Sequence, residues 1–433
     1  MIKILINKYK NKVLTCLLIG VIAILTVSMI GGVSAADKTI TNATSGGLKV
    51  AIESVGDNET IFLENGVYSG ENNTGISINK DLTISGKGSN VVIDAKGKSR
   101  IFAISSDTHA SYKVTLKNLK LINGNEQYGG AIYIYHGSLV VSDCTFTNNQ
   151  AKNGEGGAVY NDYGNLTISG STFTDNQAKK GGAIYNDMIM NITGSYFMNN
   201  VAISGGAIYN NNRLSVKDSI FNGNIANGDL IPVYSGGAIH HGEGMLLSVF
   251  NSNFTNNKAQ CGGAIGTGDY PSASFLLFEN PKIVISDSLF ENNHATHYGG
   301  AIILYPIGDE VYGNITLSIT NSFFNNNYAE SSGGAIYIDG ESSFVDGRDI
   351  YKYKPQGGYD YETLTKCSVI NSAFNNNKAY YDGGAIGGVN PAEIKITKTV
   401  FKNNIMVSKN IYNAIDPYLR VILSKDVSIT PAE

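Results

Sequence analysis

Tryptophan is absent from the 433 residues, arginine occurs at four positions (Arg100, Arg213, Arg348 and Arg420), proline at 8 and cysteine at 4. Each scarcity excludes something. With so few arginines, and lysines spread along the chain rather than massed in one stripe, the sequence offers no phosphate-tracking surface for nucleic acid. A formal net charge of -4 with 16% charged residues leaves the balance near neutral, and 42% hydrophobic residues exclude extensive disorder. Cys16 falls in an N-terminal apolar run, and Cys144, Cys261 and Cys367 are an odd number far apart, so they are not a disulfide framework. A chain of this length buries enough surface without one. In place of these residues stand 50 Gly, 26 Tyr and abundant Asn, a composition suited to short strands and tight corners.

Lys3, Lys8, Lys10 and Lys12 precede an apolar run from Val13 to Ile30, and Val33, Ser34 and Ala35 are small residues before Ala36. Residues 1–35 therefore read as a secretory signal, with an uncleaved N-terminal anchor as the competing reading because the run is about as long as a bilayer-spanning helix. Export is the expectation, and any membrane contact goes through this segment.

Nine Gly-Gly-Ala triplets begin at Gly129, Gly156, Gly181, Gly205, Gly236, Gly262, Gly299, Gly333 and Gly383, each followed by Ile or Val. After each triplet, and before the next, comes one Phe with Asn three positions later: Phe146/Asn149, Phe173/Asn176, Phe197/Asn200, Phe221/Asn224, Phe254/Asn257, Phe290/Asn293, Phe324/Asn327, Phe374/Asn377 and Phe401/Asn404. Positions seven and five before the Phe are apolar in every unit, as in Leu166/Ile168 and Leu214/Val216. That alternation has period two and is a strand. The shortest units, 24, 25 and 26 residues, are too short for a helix plus a strand, so one unit is one coil of a β-solenoid.

The fold expected is all-β: a right-handed parallel β-helix, a pectate-lyase-like β-solenoid, with Ile, Leu-x-Ile and Phe stacked inward and Asn chained along a corner. It amounts to a rod of about 12 rungs, roughly 60 Å long at about 4.8 Å per rung. Residues 36–128 read as the N-terminal cap and first rungs, with Gly47 to Val55 forming a short capping helix over a sticky sheet end. Residues 129–410 carry the repeats, and 411–433 form a C-terminal cap or tail.

The paired Gly-Gly-Ala-Ile and Phe-x-x-Asn motifs resemble the repeats of chlamydial polymorphic outer-membrane proteins. The lead-in with Gly75-Ile-Ser-Ile-Asn-Lys-Asp-Leu-Thr-Ile-Ser-Gly, Val92-Ile-Asp-Ala and Leu116-Lys-Asn-Leu-Lys-Leu-Ile-Asn-Gly is similar to adhesin-like β-helix proteins of methanogenic archaea. The likeness covers roughly residues 40 to 410 and implies cell-surface display and adhesion. The sequence departs from the fuller pattern in showing no immunoglobulin-like module, autotransporter barrel or wall-sorting signal after the repeats.

The same fold class hosts polysaccharide lyases, hydrolases and epimerases, so an enzyme has to be argued from a site. No Asp-Asp pair and no Asn-Thr-Asp or Gly-His-Gly signature is present. Asp162 and Asp187 align after their Gly-Gly-Ala corners, but Asn211 follows in the next unit, so they read as structural or solvated, with weak Ca²⁺ binding the only cofactor reading left open. His240, His241, His294 and His297 read as surface or ladder residues rather than metal ligands, and Cys144 and Cys367 as small core residues in Ser and Leu positions. No catalytic or metal residue is assigned.

Tyr133, Tyr160, Tyr185 and Tyr209 follow the inward Ile or Val, at a position that later units fill with His240, Gly266, Ile303, Tyr337 and Gly387. That tolerance marks it as outward and predicts an exposed aromatic stripe, either a platform for sugar rings or a ladder that steadies the sheet. The stronger signal is irregularity. From the triplet Ala to the following Phe most units take 14 to 16 residues, but three consecutive ones take 26, 23 and 39, with insertions near 266–281, 303–313 and 338–364. These carry Tyr270, Phe275 and Phe278; Tyr305 and Tyr312; and Phe344, Arg348, Tyr351, Tyr353, Tyr359 and Tyr361, a Tyr, Gly, Ser and Arg mixture suited to an extracellular glycan or a surface protein of another cell. Of the Asn-x-Ser/Thr sequons, Asn42, Asn58, Asn72, Asn165, Asn191 and Asn314 are glycosylation candidates, and Asn253 a weaker one.

Overall fold

The structure is a computed structural model that describes residues 37–105, 111–228, 235–242, 246–268, 282–305, 315–339, 344–345, 348–349, 365–388, 392–408, 414–416 and 419–430. The expected signal or anchor segment lies outside the described residues. Among those described, four parallel sheets of 14, 11, 13 and 9 strands run along the chain, each strand pairing with its counterparts in the preceding and following units. A unit supplies one strand to each in fixed order, as in Ile184–Asn186, Met190–Thr193, Tyr196–Met198 and Val201–Ala202. We name the sheets after their inward residues: the Ile, Leu, Phe and Ala sheets. This is the right-handed parallel β-helix anticipated from the repeat, the hand being the one parallel crossovers adopt.

Registers pair like with like: Ile132 with Val159, Leu139 with Leu166, Phe146 with Phe173 and Ala151 with Ala178. The inward residues of the Ile, Leu and Phe sheets therefore form columns in one core, and the alanines of the Ala sheet are buried beside it. From Phe146 to Phe401 the rings stack at 4.6 to 4.9 Å. Each is fully buried and removes enough apolar surface from water for about 1.5–3 kcal/mol.

The corners are where the sequence is most constrained. Between the Phe and Ala sheets the residue before the ladder Asn sits at positive φ, as Asn148 (56°) and Asp175 (55°) do, in a region Asn and Asp tolerate. The Asn that follows points in. Asn200 Oδ1 accepts from Asn176 N (3.1 Å) and Asn176 Nδ2 (2.9 Å), while Asn200 Nδ2 donates to Asn224 Oδ1 (3.0 Å) and to the Phe173 carbonyl (2.9 Å). A second corner, between the Leu and Phe sheets, repeats the device with Ser: Ser171 N donates to Ser195 Oγ (3.2 Å). Cys144 takes the first place in that column, its N–H donating to Ser171 Oγ (3.1 Å), and burial pushes its thiol up to about 12. Cys144, Cys261 and Cys367 are all free and buried.

At the Gly-Gly-Ala corner, Gly129 has φ 65°, and a Cβ on Gly130 would lie 2.3 Å from the Gly157 carbonyl oxygen one rung on. The Ala requirement has a similar basis. The Ala158 carbonyl accepts from both Ala131 N (3.0 Å) and Ile132 N (2.8 Å), which draws the rungs together at a bend where the Ala methyls are fully buried.

At the start, helix α1 (Gly47–Ser54) buries Leu48, Ala51 and Ile52, and Leu48 N donates to Asn73 Oδ1 (2.9 Å), so the helix caps the solenoid as its amphipathic pattern indicates. At the other end Arg420–Leu423 and Ser428–Thr430 add one more strand to the Leu and Phe sheets.

Candidate functional site

Alternation in the Ile sheet puts Ile or Val inward, the next residue outward, the third inward and the fourth outward. The outward column is Tyr133, Tyr160, Tyr185, Tyr209, His240 and Gly266, each paired with the next. Successive rings are nearly parallel, with centroids 5.6, 4.9, 5.3 and 4.6 Å apart. The faces that would stack on a sugar are thus turned onto one another. Nor is the stripe exposed throughout. Tyr133 and Tyr160 are half-buried, but Tyr185 is 7% exposed, Tyr209 1% and His240 2%. This corrects the expectation of four exposed rings: outward orientation on a sheet does not entail exposure once rings stack on one another and charged arms lie over them. Lys180 Nζ sits 4.5 Å from the Tyr209 ring centroid and donates to its hydroxyl (3.3 Å), while Arg100 covers Tyr133 at 5.0 Å.

The second outward column places Tyr135, Asp162, Asp187 and Asn211 in line. Asn211 Nδ2 donates to Asp187 Oδ1 (2.7 Å) and to the Tyr185 hydroxyl (3.1 Å). Burial, and then the charge of Asp187, raises the Asp162 carboxyl to about 6; burial also raises Asp187. Beside them lies a cluster that sequence reasoning passed over. His136 and Tyr163 stack at 5.0 Å, and Tyr135 meets both edge-on, at 4.3 and 6.0 Å. Tyr163 is 58% exposed. His136 and Tyr163 both have positive φ, 56° and 57°, in the turn from the Ile sheet to the Leu sheet. The aligned Tyr-His and Asp-Tyr pairs ahead of Gly137 and Gly164 were the available signal.

That same turn holds the three insertions. They separate Ile265–Thr267 from Lys282–Ser286, Ile302–Leu304 from Thr316–Thr320, and Ile336–Ile338 from Thr365–Ile370, yet the flanking strands keep their register. The loops therefore leave from successive rungs of one edge. Tyr270, Phe275, Phe278, Tyr312, Tyr351, Tyr353, Tyr359 and Tyr361 lie outside the described residues; Arg348–Asp349 pairs antiparallel with Phe344–Val345.

The histidines divide. His241 points inward and is 1% exposed, ending a buried polar column in which Asn161 Nδ2 donates to Asn186 Oδ1 (2.6 Å), Asn186 Nδ2 to Asn210 Oδ1 (2.7 Å), and Asn210 Nδ2 meets His241 Nδ1 (3.0 Å). It is a core residue, not a surface one. His294 pairs with Glu330 (3.0 Å) and stacks on Tyr328 (5.2 Å). Among the described residues no group of three or more His, Cys, Asp or Glu side chains is placed to hold a metal ion. Asn42, Asn58, Asn72, Asn165, Asn191 and Asn253 are exposed, and Asn314 lies outside the described residues.

The Chlamydia polymorphic membrane protein repeat matches residues 143–162, 170–187, 287–303 and 321–339. No curated protein matches the chain in sequence. Among solved structures, the PL6 family polysaccharide lyase Pedsa3628 from Pseudopedobacter saltans is similar with 12% identity and a TM-score of 0.52 over 91% of this chain and 92% of that one. The Streptococcus pneumoniae surface protein and adhesin PfbA is similar with 11% identity and a TM-score of 0.52 over 91% and 100%. At such identities the likeness is one of fold. The chain is thus a pectate-lyase-like parallel β-helix carrying repeats of the polymorphic membrane protein type.

Proposed function

We propose that this is an exported, adhesin-like protein of the cell surface, non-enzymatic, which binds an extracellular glycan or a surface protein of another cell along the edge where the Ile sheet turns into the Leu sheet. One observation carries the reading: three consecutive rungs enlarge that turn while the register on either side is untouched. Scaffolds that present binding loops are built so, since a rigid sheet tolerates length change at its turns. The Tyr135, His136 and Tyr163 cluster occupies the same turn four to seven rungs earlier, with half-buried Tyr133 and Tyr160 and the Asp162 carboxyl beside it. The polymorphic membrane protein repeats and the adhesin among the structural neighbours support surface display.

The test is binding to a panel of glycans and to cells by the full chain, by variants with each insertion cut to the spacing of the regular units, and by Tyr135→Ala with Tyr163→Ala. Shortening the loops should abolish binding at least tenfold while the melting temperature changes little. A second reading, a polysaccharide-active enzyme, rests on Asp162 and Asp187 in adjoining rungs, one of them holding its proton to about pH 6. Turnover of a polysaccharide that Asp187→Asn abolishes would replace the first reading by this one.

A further inference from the structure

The corner between the Phe and Ala sheets carries a feature separate from the Ile-sheet edge. Two recesses open there, of about 580 Å³ and 690 Å³, near opposite ends of the solenoid and at equivalent positions of the repeat. The first is lined by Asn123, Asn148, Asn125, Gln150, Lys96 and Lys152. The second is lined by Asn326, Asn376, Asn403, Tyr328, Lys378 and Ile405. In each, positive-φ Asn residues form one wall, and residues two positions further on form the other. Their side chains are carboxamides, ammonium groups and, in the second, an aromatic ring. No carboxylate lines either recess.

Acids close by are already engaged. Asp94 accepts from Lys96 N (2.8 Å) and Asn123 Nδ2 (2.9 Å), and Glu330 is paired with His294. Lys96, Lys152 and Lys378 are exposed; two lysines outweigh Asp94 at the first recess, and Lys378 is the charged residue lining the second, so amides there frame ammonium groups. Between them Asp175 stands in the Asn position, and Val201 and Ile225 in the outward position, so the charge does not run on as a continuous track.

We propose that this corner binds a linear anionic glycan lying along the solenoid axis and held at both recesses. Amide pairs present a donor and an acceptor side by side, which suits hydroxyls on adjacent ring carbons, and the lysines take the carboxylate or sulfate groups. The rung repeat of about 4.8 Å is close to the advance of an extended glycan per sugar, so equivalent amides meet equivalent hydroxyls. Some eight rungs, roughly 38 Å at that spacing, separate the recesses, so a polymer that reaches both gains by local concentration where a short oligosaccharide does not.

Binding of the full chain to heparin, hyaluronan, polygalacturonate and uncharged dextran, each as polymer and as short oligosaccharide, tests this. The expected result is binding of an anionic polymer, at least tenfold weaker for its oligosaccharide and absent for dextran. Lys96→Glu with Lys152→Glu, and separately Lys378→Glu, should each weaken it at least tenfold; these side chains are exposed, and an unchanged melting temperature shows that the fold is kept. Failure of all three anionic polymers to bind, or binding unchanged in both charge variants, overturns the proposal. Binding lost only when the Ile-sheet loops are shortened would also overturn it and assign the glycan to that edge instead.

Discussion

Two aromatic columns run along this solenoid, and they behave differently. The inward Phe column continues from Phe146 to Phe401 without a break, at 4.6 to 4.9 Å and within 10° of parallel. The outward Tyr column holds four rings and a histidine, then gives way to Gly266 and Ile303. Stacking across rungs is the same physics in both. The difference is what surrounds the ring: a Phe lost from the core leaves a cavity that rungs above and below cannot close, whereas an outward position is filled by whatever lies over it. Regularity therefore marks the scaffold, and departures from it mark where the surface has been put to use.

Phe221→Ala should give the largest effect, about 3–5 kcal/mol, because its ring lies between Phe197 and Phe254 at 4.7 Å each. Tyr160→Ala, half-buried in the outer column, should cost at most about 1–2 kcal/mol. Since each rung contacts mainly its neighbours, hydrogen exchange should show the loss from Phe221→Ala confined to adjacent rungs. Equal costs for the two variants would erase the distinction between the columns.

The corner amides come next. Asn200→Ala removes an acceptor of two hydrogen bonds and a donor of two more, all buried, and should cost about 2–4 kcal/mol. Chemical denaturation of the variant checks this. At the inward histidine, His241→Leu takes away one of two partners of Asn210 Nδ2, the other being the Asn212 carbonyl, and should cost about 1–3 kcal/mol, whereas His241→Asn continues the column and should cost less than 1 kcal/mol, roughly the range of a retained hydrogen bond. Thermal melts that rank the two the other way would show that the ring's volume matters more than its nitrogen.

Why the fold was legible and the site only in part follows from the same distinction. Gly-Gly-Ala, Leu-x-Ile and Phe-x-x-Asn recur because each meets its own copy one rung away, so the pattern is written once per unit. The Ser corner was visible only as a background against which Cys144 stood out, since Ser is common and its ladder runs from backbone N–H to hydroxyl. The Asn161 to His241 column escaped because it is short: Ile134 stands before its three Asn residues, and His241 read as one half of a histidine pair. Burial of Tyr209 escaped for a different reason: it depends on Lys180, 29 residues earlier, reaching over the ring. Side chains contributed by other rungs leave no trace in the local pattern.

The smallest expected effect sharpens the comparison at the outer face. The Asp162 carboxyl is raised from an ordinary 3.8 to about 6, first by burial among the outward rings and then by Asp187 one rung on. The folded chain thus takes up this proton more readily than the unfolded one, and the associated stability is complete below about pH 4 and lost as pH rises through 6. A shift of about two units is worth roughly 3 kcal/mol at full effect, but the group is half-exposed and solvent screening leaves about 1 kcal/mol. Asp162→Asn removes the ionised form and keeps the shape. Its melting temperature should exceed that of the unsubstituted chain by about 1–2 °C at pH 8 and match it at pH 4. A gain of the same size at both values would mean that the carboxylate is not held under the outer column, and that its place among the rings does not set its charge.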